Sequence, residues 1–195
     1  LQLIWLRHGE TDENASGRYL GHRDVPLNQK GSIQAERLAL HLTAFPVDRV
    51  YTSDLLRARQ TARVFLRRFP HLPCLESENL RELSFGDWEG CTYHEISAKN
   101  PEHVRQWLSN PFQVAPPAGE SLREMDKRLS RWLKQVEERH AGERIAVFTH
   151  GGPIRWFLAK LVYRDWAAFW KPSVPHGSGQ LVKKQGDTWK IVSTF

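Results

Sequence analysis

Three short apolar runs, Leu1–Leu6, Val47–Tyr51 and Ile145–Phe148, are each followed by polar or glycine-bearing residues and then by a helical pattern. That alternation constrains the chain most. Runs of four to six apolar residues are too short for buried helices and match strands covered on both faces. Strands alternating with helices predict an α/β fold: a mainly parallel central sheet with helices on both faces, in three layers. In such sheets ligands bind beyond the carboxyl ends of the strands.

The helical segments have legible boundaries. Asn28 is placed to cap a helix whose inward face carries Ile33, Leu38, Leu42 and Phe45. Leu55, Ala58, Ala62, Phe65, Leu66 and Phe69 recur at three- and four-residue steps after Ser53 and Asp54, either of which can cap, and Pro70 marks the stop. "SLRE" offers a capping box, Ser121 with Glu124, opening a helix with the stripe Leu122, Met125, Leu129, Leu133 and Val136. After the strand at Ile145–Phe148, Pro153 suits a first helical turn, with Ile154, Phe157, Leu158 and Leu161 facing inward. Residues 179–195 read as two strands. Between Leu83 and Glu120, aromatics, glycines and prolines interrupt short helical pieces, which predicts a small cap insertion in a single domain.

Composition limits the function classes. The net charge of +6 comes from scattered arginines with no Lys/Arg block, so a small anion is a better partner than nucleic acid. No apolar run reaches the ~18 residues of a membrane span, and no leader pattern opens the chain, so a cytoplasmic protein is expected. Cys74 and Cys91 lack metal-ligand spacing and fit a reducing compartment. No metal or other cofactor is expected, and either a monomer or a homodimer is compatible with the sequence.

Two strand ends concentrate the chemistry. The first delivers Arg7, His8, Gly9 and Glu10; the strand Ile145–Phe148 delivers Thr149, His150, Gly151 and Gly152. Taken alone, each histidine reads as a loop imidazole with a hydrogen-bond partner. If the two strands are parallel neighbours, both histidines meet at one sheet edge. Arginine beside histidine, with glycine next, supplies fixed charge, a nucleophile and approachable backbone N–H groups for a tetrahedral anion. Arg57 sits in the first turn of its helix, where anions are attracted, although a solvated helix charge would look the same. Glu82 in "LRELSFGDWEG" is a carboxylate in an aromatic, glycine-rich loop and a candidate acid.

"LRHGETDEN", "RYLGHRDVPLNQKG", "YTSDLLRARQTA", "LRELSFGDWEG" and "FTHGGPIR" occur in an order and spacing that resemble the histidine phosphatase superfamily, the phosphoglycerate-mutase-like enzymes. Within it, "FGDWEGCTYHEI" followed by "PPAGESL" is most similar to the α-ribazole 5′-phosphate phosphatases of cobalamin synthesis. Broad-specificity and metal-independent phosphoserine phosphatases share much of that wording. The resemblance implies that His8 is the nucleophile, that Arg7, Arg57 and His150 surround the phosphoryl oxygens with Asn14 and Gly151, and that Glu82 is the general acid. It also implies a neutral His8 whose second nitrogen is held by a nearby backbone carbonyl, and a His150 that adds charge if protonated. Leu20, Gly21 and His22, with Trp88 and Tyr93 of the cap, are expected on the leaving-group side. The cap aromatics could equally pack a mini-core. A mutase returning the phosphoryl group to substrate, and a non-catalytic phosphate-binding module, are the competing readings; the four intact reactive residues favour an enzyme.

Overall fold

The computed structural model describes residues 1–195. In chain order it contains β1 (Gln2–Arg7), α1 (Asp12–Ala15), α2 (Gln29–Leu42), β2 (Arg49–Thr52), α3 (Leu56–Leu66), β3 (Cys74–Glu76), α4 (Tyr93–Lys99), α5 (Pro101–Ser109), α6 (Leu122–Arg139), β4 (Arg144–Thr149), α7 (Gly151–Phe157), β5 (Gly179–Gln185) and β6 (Thr188–Thr194). One sheet results, in the order β3-β2-β4-β1-β5-β6. The first four strands are parallel, and the hairpin β5–β6 adds two antiparallel strands at one edge.

Strand residues alternate between the two faces, and the core divides accordingly. Leu3, Trp5, Ile145 and Val147 pack on one side with Met125, Leu129 and Val136 of α6 and Ile154 and Phe157 of α7. Ile4, Leu6, Ala146 and Phe148 pack on the other with Leu38 and Leu42 of α2 and Ala62 and Phe65 of α3. Each fully buried side chain of this size contributes ~1.5–3 kcal/mol, which holds the central strands β1 and β4 rigidly between two helical layers. No helix is long and apolar enough to cross a membrane.

Most helix boundaries follow the sequence. Asn28 accepts the Gly31 N–H at 2.7 Å, and Ser121 and Glu124 form their reciprocal capping box. Three details differ. Ile33 is 49% exposed, because it lies about 140° round α2 from Leu38 and the buried stripe is Gly31, Ala35, Leu38 and Leu42. Neither Ser53 nor Asp54 caps α3: Ser53 bonds His150, Asp54 pairs with Arg81, and Asp24 reaches across to accept the Leu56 N–H at 2.5 Å. Leu161 packs against the core but is only partly buried, where α7 continues into π-helical winding over Leu158–Tyr163.

The segment 83–120 carries α4 and α5. Its Trp88, Ile96, Val104 and Trp107 extend the apolar layer of α6 and α7 without a break.

Candidate active site

Register decides the site. Leu6 pairs with Phe148 and Arg7 with Thr149, so the next residue on each strand is a histidine at the same level of the sheet. The His8 N–H donates to the Thr149 carbonyl at 3.0 Å, and the two imidazole centroids stand 4.9 Å apart at 62°. Both rings are buried.

His8 is held in one tautomer. Its Nδ1 lies 2.6 Å from the Gly9 carbonyl, which can only accept, so Nδ1 carries the proton. Nε2 then presents a lone pair, and Arg57 Nε donates to it at 3.3 Å. Burial, together with Arg57 and Arg7, holds the His8 pKa well below 6.5, so the ring is a neutral nucleophile. Gly9 is required behind it: a Cβ there would sit 2.2 Å from the Gly31 carbonyl.

Arg57 is fixed by Nη1 donating to Arg23 O at 2.9 Å and Nη2 to Gly21 O at 2.7 Å. Burial lowers its pKa, and that of Arg7, to about 10, which leaves both charged at neutral pH. Arg7 Nη1 donates to Val174 O at 2.5 Å, while its Nε is buried without a protein partner.

The charge that His150 would add if protonated is disfavoured in the free protein. Burial and Arg57 hold its pKa well below 6.5. Ser53 Oγ accepts the Leu55 N–H at 3.3 Å and lies 2.9 Å from His150 Nε2. His150 Nδ1 is buried and has no partner in the protein. Among buried polar atoms such an arrangement calls for a functional reason.

Glu82 arrives from the loop before the cap. Both carboxylate oxygens accept the Gly152 N–H at 3.0 Å, and Oε1 also accepts the Leu83 N–H. A Cβ on Gly152 would sit 2.0 Å from Oε1, so this glycine makes room for the carboxylate. Gly151 opens α7, and a Cβ there would meet Arg155 Nη1 at 2.9 Å and the Arg7 guanidinium at 3.5 Å.

A model of the histidine phosphatase superfamily, branch 1, matches residues 3–195. The chain belongs to that superfamily. Relatives include phosphoglycerate mutase-like protein 4 of Arabidopsis thaliana, 40% identical over 79% of this chain and 68% of the relative. Phosphoserine phosphatase 1 of Hydrogenobacter thermophilus is 32% identical, covering 93% and 86% of the two chains. Adenosylcobalamin/alpha-ribazole phosphatase of Salmonella typhimurium is also 32% identical, covering 89% and 86%. The structure of the alpha-ribazole phosphatase from Shigella flexneri superposes with a TM-score of 0.90 at 28% identity, covering 98% of this chain and 94% of that one. The protein is therefore a phosphatase, a hydrolase of the histidine phosphatase fold.

Other anticipated positions of this histidine phosphatase have structural tasks. Asn14 closes a capping box with Thr11 through its carboxamide oxygen, leaving the amide N–H groups for a ligand. Gly21 supplies the carbonyl that fixes Arg57, and a Cβ on it would lie 2.3 Å from Glu89. His22 Nε2 donates to Glu82 O at 2.9 Å, steadying the acid-bearing backbone. Leu20 is buried. Trp88, 5% exposed, packs against Tyr19, His103 and Trp107, so its ring serves the apolar layer, whereas Tyr93 is 53% exposed.

Sequence reading missed Glu89, Arg155 and His176, and took Ser53 only as a helix cap. Arg155 was findable, because it lies four residues after Gly151 and hence on the same helix face. Glu89 was not: its carboxylate accepts the N–H groups of His22, Arg23 and Phe85, tying two distant loops together. His176 required the strand order. β5 runs antiparallel to β1, so the loop before β5 lies beside the end of β1, and the His176 ring stands 5.5 Å from that of His8.

Proposed function

We propose that this histidine phosphatase hydrolyses phosphomonoesters through a phosphohistidine on His8. The observation that carries this reading is the locked tautomer: Nδ1 is committed to Gly9 O, and the Nε2 lone pair is turned to the Arg57 guanidinium, with the His150 ring beside it. Nε2 attacks phosphorus in line and the P–O ester bond breaks. Glu82 delivers a proton to the departing alkoxide, then as carboxylate takes a proton from the water that cleaves the P–N bond. Arg7 and Arg57 with the N–H donors of His150 and Asn14 neutralise the equatorial oxygens, positioning and charge being most of what phosphoryl transfer requires. The scheme uses no metal ion or other cofactor.

The substrate is a small phosphorylated metabolite, and we favour α-ribazole 5′-phosphate of cobalamin synthesis. Two relatives with that activity in their names, one superposing over nearly the whole chain, support it. Phosphoserine is the second reading, favoured by equal identity to a phosphoserine phosphatase over a larger share of this chain. Leu20 and Tyr93 are retained as leaving-group positions, with Gly21, His22 and Trp88 acting through the scaffold. The unpaired thiols Cys74 and Cys91 support a cytoplasmic location.

The test is kcat/KM across α-ribazole 5′-phosphate, phosphoserine, 3-phosphoglycerate and a sugar bisphosphate in EDTA. A clear preference for the first is expected. Preference for phosphoserine, or equal rates on all four, would replace the substrate and leave the chemistry intact; an inert protein would end both.

A further inference from the structure

We propose that His176 is a third imidazole of the phosphoryl pocket, donating from Nε2 to a nonbridging oxygen of the bound phosphoryl group. This rests on the reading of His8 as the phosphoryl acceptor.

His176 stands beside His8 much as His150 does, with ring centroids 5.5 Å and 4.9 Å from the nucleophile respectively. Its Nε2 is enclosed and has no hydrogen-bond partner in the protein. Buried polar atoms are nearly always paired, so an exception beside a nucleophile is a candidate ligand donor. The other unpaired nitrogens near His8, Arg7 Nε and His150 Nδ1, belong to groups already placed around the phosphoryl oxygens.

The segment carrying His176 is strapped to the backbone of the nucleophile. The Gly177 N–H is shared between Arg7 O at 3.2 Å and His8 O at 3.1 Å, and the Arg7 N–H donates to Ser178 O at 3.0 Å. Arg7 Nη1 holds the Val174 carbonyl two residues before. Gly177 adopts φ +67°, and a Cβ there would lie 2.6 Å from Gln34 Cβ, so the turn that aims His176 needs glycine. Movement of the His176 backbone relative to that of His8 therefore requires breaking the bonds that fix the end of β1.

The electrostatic setting suits a neutral donor. Burial first, then Arg7, lowers the His176 pKa to about 4; Glu10 opposes this, while Lys30 and Arg57 add to it. A neutral imidazole supplies an N–H without repelling the two arginines that the phosphoryl dianion also needs. An imidazolium here would repel them.

Orthovanadate, a tetrahedral oxyanion that expands its coordination as phosphorus does in transfer, separates the possibilities. In protein labelled with ¹⁵N-histidine, the His176 Nε2 resonance is expected to move on vanadate addition. His176→Ala should weaken vanadate binding about ten- to a hundredfold, the effect of one hydrogen bond to a charged acceptor. His176→Gln, which keeps an N–H near the Nε2 position, should bind within about threefold of wild type. An unmoved resonance would overturn the proposal, as would vanadate binding by His176→Ala within about twofold of wild type. Equal loss in both variants with a lowered Tm would assign His176 a structural task instead. Acid-quench trapping of wild type with nitrophenyl phosphate runs alongside: absence of a phosphohistidine, with a vanadate-responsive His176, would remove the His8 reading and keep the oxyanion contact.

Discussion

Arg57 Nε donates to Nε2 of His8 at 3.3 Å, so the guanidinium sits on the lone pair that the reaction uses. It is held there by two carbonyls, Gly21 O and Arg23 O, which occupy its other nitrogens. A lysine carries the charge but cannot reach three acceptors in a plane. Arg57→Lys should lower kcat/KM on nitrophenyl phosphate by about 10²-fold or more, the scale of removing one transition-state donor. Activity within a fewfold of wild type would show that charge alone suffices.

Glu82 is held by backbone N–H groups that an amide oxygen can also satisfy, so Glu82→Gln should fold normally. Its kcat should fall on the order of 10² to 10⁴ for an alkyl phosphate and less for nitrophenyl phosphate, whose leaving group needs little protonation. Equal losses on the two substrates would take the acid role from Glu82.

Two glycine substitutions should separate catalysis from stability. At Gly31 a Cβ would lie 2.1 Å from Glu10 O, backbone against backbone, so Gly31→Ala should cost ~1–3 kcal/mol of stability, read by denaturant titration. At Gly152 the obstacle is the flexible end of Glu82. Gly152→Ala should therefore leave the unfolding midpoint nearly unchanged and lower kcat by displacing the carboxylate. The reverse pattern would place Glu82 outside the chemistry.

Three depressed histidines set a pH dependence of stability. His8 and His150 lie well below 6.5 and His176 near 4, so the folded protein refuses protons that the unfolded chain accepts. Stability then rises with pH: the benefit is complete above about pH 6.5 and is lost as pH falls through the window toward 4. Carboxylates with lowered pKa values, Glu95 and Glu124, act in the same direction only at lower pH. Calorimetry at pH 5.5 should find uptake of two to three protons on unfolding, about one fewer in His176→Gln. No uptake would mean that the rings are already charged in the folded state.

Much of this was legible because it is local. The two capping residues Asn28 and Ser121 act within three residues of themselves, and the apolar runs around Trp5 and Val147 mark strands whatever lies beside them. The neutral His8 with its carbonyl partner one residue away was likewise within reach. Ile33 misled because an apolar side chain near a stripe was counted as part of it, when helix angle alone excludes it. Asp54 and Ser53 misled for other reasons: Arg81 claims Asp54, and the cap position falls on Leu55, so Ser53 reaches only the Leu55 N–H.

By itself the sequence determined the alternation of strand and helix, the ends at which Arg7, His8 and His150 emerge, and the family, because these depend on short-range pattern and on motif order. Only the tertiary structure decided what surrounds them. Strand order brought β4 and β1 into register and laid the start of antiparallel β5 beside them, adding His176. Burial between packed layers kept three imidazoles neutral, and carbonyls from loops distant in sequence fixed Arg57. Those effects depend on distance in space and on desolvation, neither of which spacing along a chain encodes.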